Sequence, residues 1–389
     1  MILETILLLL LPVAGWLGWW LARLSSKRAE NKRSRQLSNR YFQGLNYLLN
    51  EQPDKAIQIF TQMAEVNSDT VEMHLALGSL FRKRGEVDRA IRLHQNIIGK
   101  RNLDEQQRTL ALLELGEDYM RAGLFDRAEK LFGELAERDI QAPSALRNLL
   151  DIYQQEKEWA RALEVAQALE KLEPQGMGTA MSHFCCELAD DALQQGETEL
   201  ARRHLRRARR HDPESARAEF LAARIAESSG DYEAALEAYE KVVELDSDHL
   251  RELLDPYFEA ARKGDQSRRA HERLVEWAGQ HDGISLVIRR TEIMAHERGQ
   301  KEAIEYLKAH LTERPSVRGL HHLLEMEGTE TESLDTSEQI LGRIAHSLAS
   351  SQSEYRCRNC GFSGHQHHWQ CPSCKRWGVT GVIRGVLGE

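Results

Sequence analysis

Between residues 41 and 327, apolar side chains recur at the three-to-four spacing of amphipathic helices, and the helices recur in pairs. A small residue opens the second helix of each pair: Ala56, Ala90, Ala128, Ala162, Ala201, Ala235, Ala270 and Ala303. Their spacings of 34, 38, 34, 39, 34, 35 and 33 predict eight paired units. The longer intervals after Ala90 and Ala162 predict inserted loops at about 99–106 and 174–182. Two stretches break the rhythm. Thr5 to Ala22 carries no charge, and residues 328–338 are polar and weakly patterned, followed by a short amphipathic helix over Gln339–Leu348.

The positions around the alanines sharpen the pattern. Gly44, Tyr47 and Phe60 serve the first unit; Leu77, Gly78 and Phe81 the second; Leu115, Gly116, Tyr119 and Phe132 the third. Tyr153 and Pro174 mark the fourth, Pro213 closes the fifth, and Gly230 with Tyr239 marks the sixth. The seventh is degenerate around Gly264, and Gly299, Leu307 and Pro315 complete the eighth. This pattern resembles the tetratricopeptide repeat family over about residues 41–315. The resemblance implies an all-α, right-handed solenoid whose general role is protein binding, with contacts on its first helices. It leaves the ligand unnamed.

The uncharged segment ends in Trp16, Trp19 and Trp20, side chains that suit a headgroup interface, and its length is near the minimum for a membrane span. Glu4 ahead of it and the lack of a small-x-small cleavage site argue against a removed leader. The expectation is a transmembrane anchor at 1–22 and a basic juxtamembrane segment at 23–40. Arg23, Lys27, Arg28, Lys32, Arg33, Arg35 and Arg40 lie just after the anchor, which puts the N-terminus outside and the bulk of the chain in the cytoplasm. Residues 41–350 hold 40 basic and 57 acidic side chains, a balance of -17 that argues against nucleic acid as a partner.

One second helix departs from that acidity. Arg202, Arg203, Arg206, Arg207, Arg209 and Arg210 fall within nine residues. They read either as a solvated face balanced by neighbouring acids or as a docking patch for an acidic partner. Cys185 and Cys186, adjacent in one helix, read as small core residues, because vicinal cysteines there cannot close an unstrained disulfide. His321 and His322 lack a ligand cluster.

The end of the chain, 351–389, has a different chemistry. Cys357 and Cys360, then Cys371 and Cys374, form two C-x2-C turns that each supply two thiolates to a tetrahedral ion. Gly361 suits the chain reversal after the first turn. Phe362, Trp369 and Trp377 are expected to form an apolar shell, and His365, His367 and His368 to be bystanders. The arrangement resembles a rubredoxin-like zinc ribbon, with knuckles closer together than in a full rubredoxin. Zinc is the expected ion and iron the alternative. So small a domain is expected to bury its tryptophans against the array and its end helix 339–348.

No phosphate-binding loop, zinc-protease helix or serine-hydrolase elbow occurs, so no catalysis is expected. The order of anchor, basic segment, repeat array and four-cysteine ribbon resembles the lipopolysaccharide assembly protein B family of Gram-negative bacteria. That resemblance implies an inner-membrane adaptor that helps the membrane protease FtsH degrade the deacetylase of the lipid A pathway, alongside other lipopolysaccharide assembly proteins. A rubredoxin-like redox role and a general scaffold for envelope assembly are the alternatives. Homo-oligomers are left open.

Overall fold

The computed structural model describes residues 43–44, 46–47, 52–66, 71–101, 103–138, 142–174, 176–328 and 336–389. The expected anchor 1–22, the basic segment 23–40 and most of the linker, 329–335, lie outside the described residues. Among the described residues no helix is long and apolar enough to cross a membrane.

Two compact units divide the chain after Glu156. The first contains α1 (Pro53–Val66), α2 (Val71–Lys83), α3 (Val87–Ile98), α4 (Glu105–Arg121), α5 (Phe125–Glu137) and α6 (Ala142–Glu156). The second begins with α7 (Trp159–Leu172), α8 (Gly178–Gln194), α9 (Thr198–His211), α10 (Ala216–Ser228) and α11 (Tyr232–Leu245). A 3-10 turn (Ser247–His249) leads into α12 (Leu250–Lys263), α13 (Ser267–Gln280), α14 (Ile284–Arg298), α15 (Gln300–Glu313), α16 (Val317–Gly328) and α17 (Thr336–Ser351). At the two longer intervals α3 ends at Ile98 and α4 starts at Glu105, while α7 ends at Leu172 and α8 starts at Gly178, inside the second expected loop.

All eight alanines are the fourth residue of a second helix, and all eight are fully buried. A methyl side chain there lets two helices of a pair come close, and the contact is completed one turn later by a larger side chain. Phe60, Phe132, Tyr239, Leu274 and Leu307 fill that later position. Glycine on the first helix makes room for it: a Cβ on Gly44 would lie 2.7 Å from Phe60, and one on Gly116 2.6 Å from Phe132. The seventh unit looked degenerate because its left-handed turn residue is Asp265 (φ 54°), one position after Gly264. Its packing is ordinary, with Tyr257, Ala270, Leu274 and Trp277 in the core of the second unit.

The second unit of the repeat puts a histidine in the aromatic slot. His94 is fully buried, and its Nδ1 lies 2.5 Å from Asp118 Oδ2. Arg82 donates to Asp118 at 2.7 Å and to Glu114 at 2.7 Å, so the buried carboxylate of α4 is met from α2 and α3 together. A buried charge needs such partners to be tolerated. The sequence pattern stressed Leu115, Gly116 and Tyr119 and passed over Asp118.

After α17 the chain forms a three-stranded antiparallel sheet of order β2-β1-β3, from β1 (Tyr355–Cys357), β2 (Ser363–Gly364) and β3 (Thr380–Val382). Tyr355 pairs with Gly364 on one side and Val382 on the other.

Candidate metal centre

Each knuckle is a tight turn followed by a left-handed residue. Gly361 (φ 78°) follows Cys357–Cys360, as expected, and Lys375 (φ 58°) takes the same place after Cys371–Cys374. The turns are closed by backbone bonds, Gly361 N–H to Cys357 O at 3.0 Å and Lys375 N–H to Cys371 O at 2.9 Å. Short chain segments thereby aim four sulfurs at one point. All four Sγ atoms lie within 4.8 Å of one another. Cys357 and Cys374 approach to 3.7 Å, Cys360 and Cys371 to 3.6 Å. Sulfurs about 2.3 Å from a tetrahedral zinc stand about 3.8 Å apart, so the donor set fits such an ion. The N–H groups of Phe362 and Arg376 favour thiolate at Cys360 and Cys374, drawing Cys374 down to about 6. His365, His367 and His368 are not among the four donors.

The tryptophans face the array, as expected. Trp377 stacks on His183 of α8 with ring centres 4.9 Å apart, and meets Trp159 of α7 at 5.8 Å and Phe184 at 5.9 Å. Trp369 lies 4.5 Å from His249 of the 3-10 turn. The Arg217 guanidinium sits 5.7 Å from both indole rings, held by Glu187 at 2.8 Å. Ionic contacts frame this aromatic centre. Arg384 reaches Asp248 at 2.7 Å, Arg251 reaches Glu354 at 2.5 Å, and the Tyr355 hydroxyl donates to Glu252. Glu389 accepts from the backbone N–H of Ser285 at 3.1 Å, at the start of α14.

The ribbon therefore docks on the middle of the second unit. Of the expected seat, the array is used and the end helix is not: α17 packs Ala345 inward while Ile340, Leu341, Ile344 and Leu348 are exposed. The nearest helix in sequence is not the one that offers a complementary aromatic surface. His367, expected as a bystander, packs 4.8 Å from His249 and 4.7 Å from Trp369. His183, His249 and Arg217 had no signal beyond lying in a helical pattern. Cys185 and Cys186 are fully buried core residues, as expected, and burial pushes both thiols up.

Docking carries a pH dependence whose sign follows from four groups. Burial, reinforced by Arg217, pushes His183 down to about 3; burial and then His249 push His367 down to about 3. Burial pushes Glu252 up to about 7. Below pH 6.5 the undocked histidines take up protons that the docked ones refuse, so acid weakens docking. Between about pH 4.5 and 7 the docked Glu252 holds a proton that the undocked one releases, so acid strengthens docking there. Burial pushes His249 down as well, so three histidines oppose one carboxylate. Going from pH 7.5 to 5.5 is expected to weaken docking in the native chain, and to weaken it by about 2 kcal/mol more in Glu252→Gln. Hydrogen exchange of ribbon amides across this range checks it, and the same acid response in both proteins would contradict the assignment.

The six arginines divide into two sets. Arg209 makes a bidentate pair with Glu219, at 2.8 and 2.7 Å, and Lys241 joins the same carboxylate at 2.8 Å. Burial pushes Glu219 up, and these hydrogen bonds outweigh it, holding the carboxyl below its usual range. Arg202 donates to Ser229 at 3.2 Å and lies 3.6 Å from Glu199. Arg203, Arg206, Arg207 and Arg210 make no hydrogen bond or ion pair among the described residues, and all four are exposed. The reading of the run as a face balanced by acids holds for two of the six.

Comparison with known proteins follows the same division of the chain. The tetratricopeptide repeat family matches residues 74–108, 113–176 and 186–249, and the rubredoxin metal binding domain matches 355–379. Lipopolysaccharide assembly protein B of Escherichia coli (strain K12) is 34% identical over 385 residues, covering 98% of this chain and 99% of that protein. The protein of the same name from Haemophilus influenzae is 33% identical over 387 residues, with 96% of each covered. Among solved structures, Pseudomonas aeruginosa PilF is 18% identical with a TM-score of 0.34, covering 58% of this chain and 97% of that chain.

Proposed function

The chain belongs to the lipopolysaccharide assembly protein B family, and on that premise we propose that it is a membrane-tethered adaptor that limits lipopolysaccharide synthesis. In this reading it presents the deacetylase of the lipid A pathway to the FtsH protease and works beside other lipopolysaccharide assembly proteins. The observation that carries the proposal is the docked ribbon. An array of helices with a metal-held ribbon fixed across its middle offers a preformed surface for protein partners. A repeat scaffold and a closed four-thiolate site, with no coordination position for water, supply no catalysis of their own.

The ion is zinc in this proposal, because no flavin or nicotinamide motif accompanies the four thiolates to make use of iron. The tether is the uncharged run from Thr5 to Ala22, with Trp16, Trp19 and Trp20 at its end and seven basic residues after it. It places the N-terminus in the periplasm and the array in the cytoplasm, at the inner membrane. Tethering raises the effective concentration of the adaptor beside a membrane protease.

Reconstitution tests this. Full-length protein, added to vesicles containing the protease and supplied with the deacetylase, should shorten the lifetime of the deacetylase. The same chain lacking residues 1–22 should be at least about tenfold less effective at equal concentration. A deacetylase lifetime that ignores the adaptor would remove the proposal.

A further inference from the structure

A groove of about 520 Å³ opens between the second helices α9 and α11, with α10 as its floor. Arg202, Arg206 and Arg209 form one wall and Lys241 stands on the other, while the half-buried Ala222, Ala234 and Ala238 supply the apolar part of the lining. Its walls come from second helices and its floor from the first helix between them.

Its acids are largely spent. Glu219 is held by Arg209 and Lys241, and Asp231 accepts the Ala234 N–H at 3.1 Å as the N-cap of α11. Glu237 is the remaining carboxylate of the lining. Arg206 has no ion pair among the described residues, and Arg203, Arg207 and Arg210 extend the same excess of charge along the other flank of α9. A local cationic cleft therefore sits in a stretch of chain whose overall balance is strongly acidic.

We propose that this groove binds an extended acidic segment of a protein partner, with an apolar side chain against Ala222 and Ala238 and carboxylates paired to Arg202 and Arg206. The proposal rests on reading the array as a protein-binding scaffold and adds the surface and the chemistry of its ligand. Guanidinium groups pair carboxylates in a bidentate fork, stronger than a point charge gives. The volume is that of a pocket for a few residues. A bilayer surface satisfies the arginines but does not reach the apolar floor. A peptide satisfies both.

The test uses the full chain in detergent and a fluorescein-labelled peptide, Gly-Asp-Glu-Leu-Asp-Glu-Ile-Gly, read by anisotropy at low and moderate salt. Binding should weaken about tenfold or more in Arg202→Ala/Arg206→Ala and with serines replacing the carboxylates. Ala222→Trp, which fills the floor and leaves every charge in place, should weaken it as much. Arg203→Ala/Arg207→Ala/Arg210→Ala should change it less than about threefold, as a screened surface effect. Equal binding by native protein and Ala222→Trp overturns the groove as the site, and so does equal binding of the serine peptide. Competition by phosphatidylglycerol vesicles would assign the arginines to a membrane and overturn it too. The two readings fail separately: a native protein that drives deacetylase degradation but ignores the peptide refutes only the groove, whereas peptide binding without any effect on degradation refutes only the adaptor reading.

Discussion

Trp377→Ala is expected to release the ribbon from the array while leaving the metal bound and the helices folded. The indole meets four side chains of the second unit, His183, Phe184, Trp159 and Arg217, so its removal empties the centre of the docking surface. Truncating a large aromatic in a packed site costs about 3–5 kcal/mol, and partial exposure of Trp377 puts this case near the lower figure. About 3 kcal/mol is a shift of roughly a hundredfold in the docking equilibrium. The ion pairs of Asp248, Arg251 and Glu354 are partly exposed and contribute little against that loss. The metal is retained because no donor is altered. Fluorescence gives the readout: emission of Trp369 should shift toward that of indole in water while metal content and helical circular dichroism stay unchanged and β1, paired within the ribbon's own sheet, keeps its protection. An unshifted Trp369 would mean that the ionic rim alone holds the ribbon.

The parts of this structure that were legible in the sequence are those made by short stretches of chain. A second helix approaches its first helix within about thirty residues, so the methyl at Ala56 or Ala235 recurs with the period of the pair. The knuckle cysteines were legible for the same reason, since each turn closes over four residues. The docking surface has no such signature. Tyr355 meets Glu252 across 103 residues, and Arg384 meets Asp248 across 136. Nothing periodic marks His183 or Arg217 as the receptor for an indole. Proximity in sequence added the end helix to the array as a seat, and Ile340 and Ile344 of that helix turn out to be exposed. His94 was missed because a polar residue in an aromatic slot makes sense only with Asp118 opposite it. The arginine run was legible as a charge anomaly, but its division into paired and unpaired members depends on Glu219, a neighbour from the next helix.

Cys371→Ser is expected to cost more than any change at the docking surface, because it removes the ion that folds the ribbon. Cys371 is fully buried, its Sγ lies 3.6 Å from that of Cys360, and its backbone N–H donates to Arg376 O at 2.9 Å. The sheet around it has strands of three, two and three residues, far too little apolar burial to hold on its own. In domains of this size metal binding and folding are one equilibrium, with apparent binding free energies of about 10–16 kcal/mol for structural zinc. A hydroxyl in place of a thiolate opens the shell. Metal content should fall from about one ion per chain to a small fraction of that, and the ribbon should unfold and leave α8. The helices should stay, since their buried alanines and the side chains one turn later contact other helices and not the ribbon. Helical circular dichroism would then be nearly unchanged, while the fluorescence of Trp369 and Trp377 shifts toward that of indole in water. Full metal retention would sink the four-thiolate assignment, and metal loss with unchanged ribbon protection would sink the coupling to folding. Compared with Trp377→Ala, this variant separates two roles of the ion. Trp377→Ala keeps the metal and loses the docked geometry; Cys371→Ser loses both. In the reconstitution that tests the proposed adaptor role, equal failure of the two would place the ion's contribution in holding the ribbon against α8. Activity surviving in Trp377→Ala alone would place it in the folded ribbon itself, whatever its position on the array.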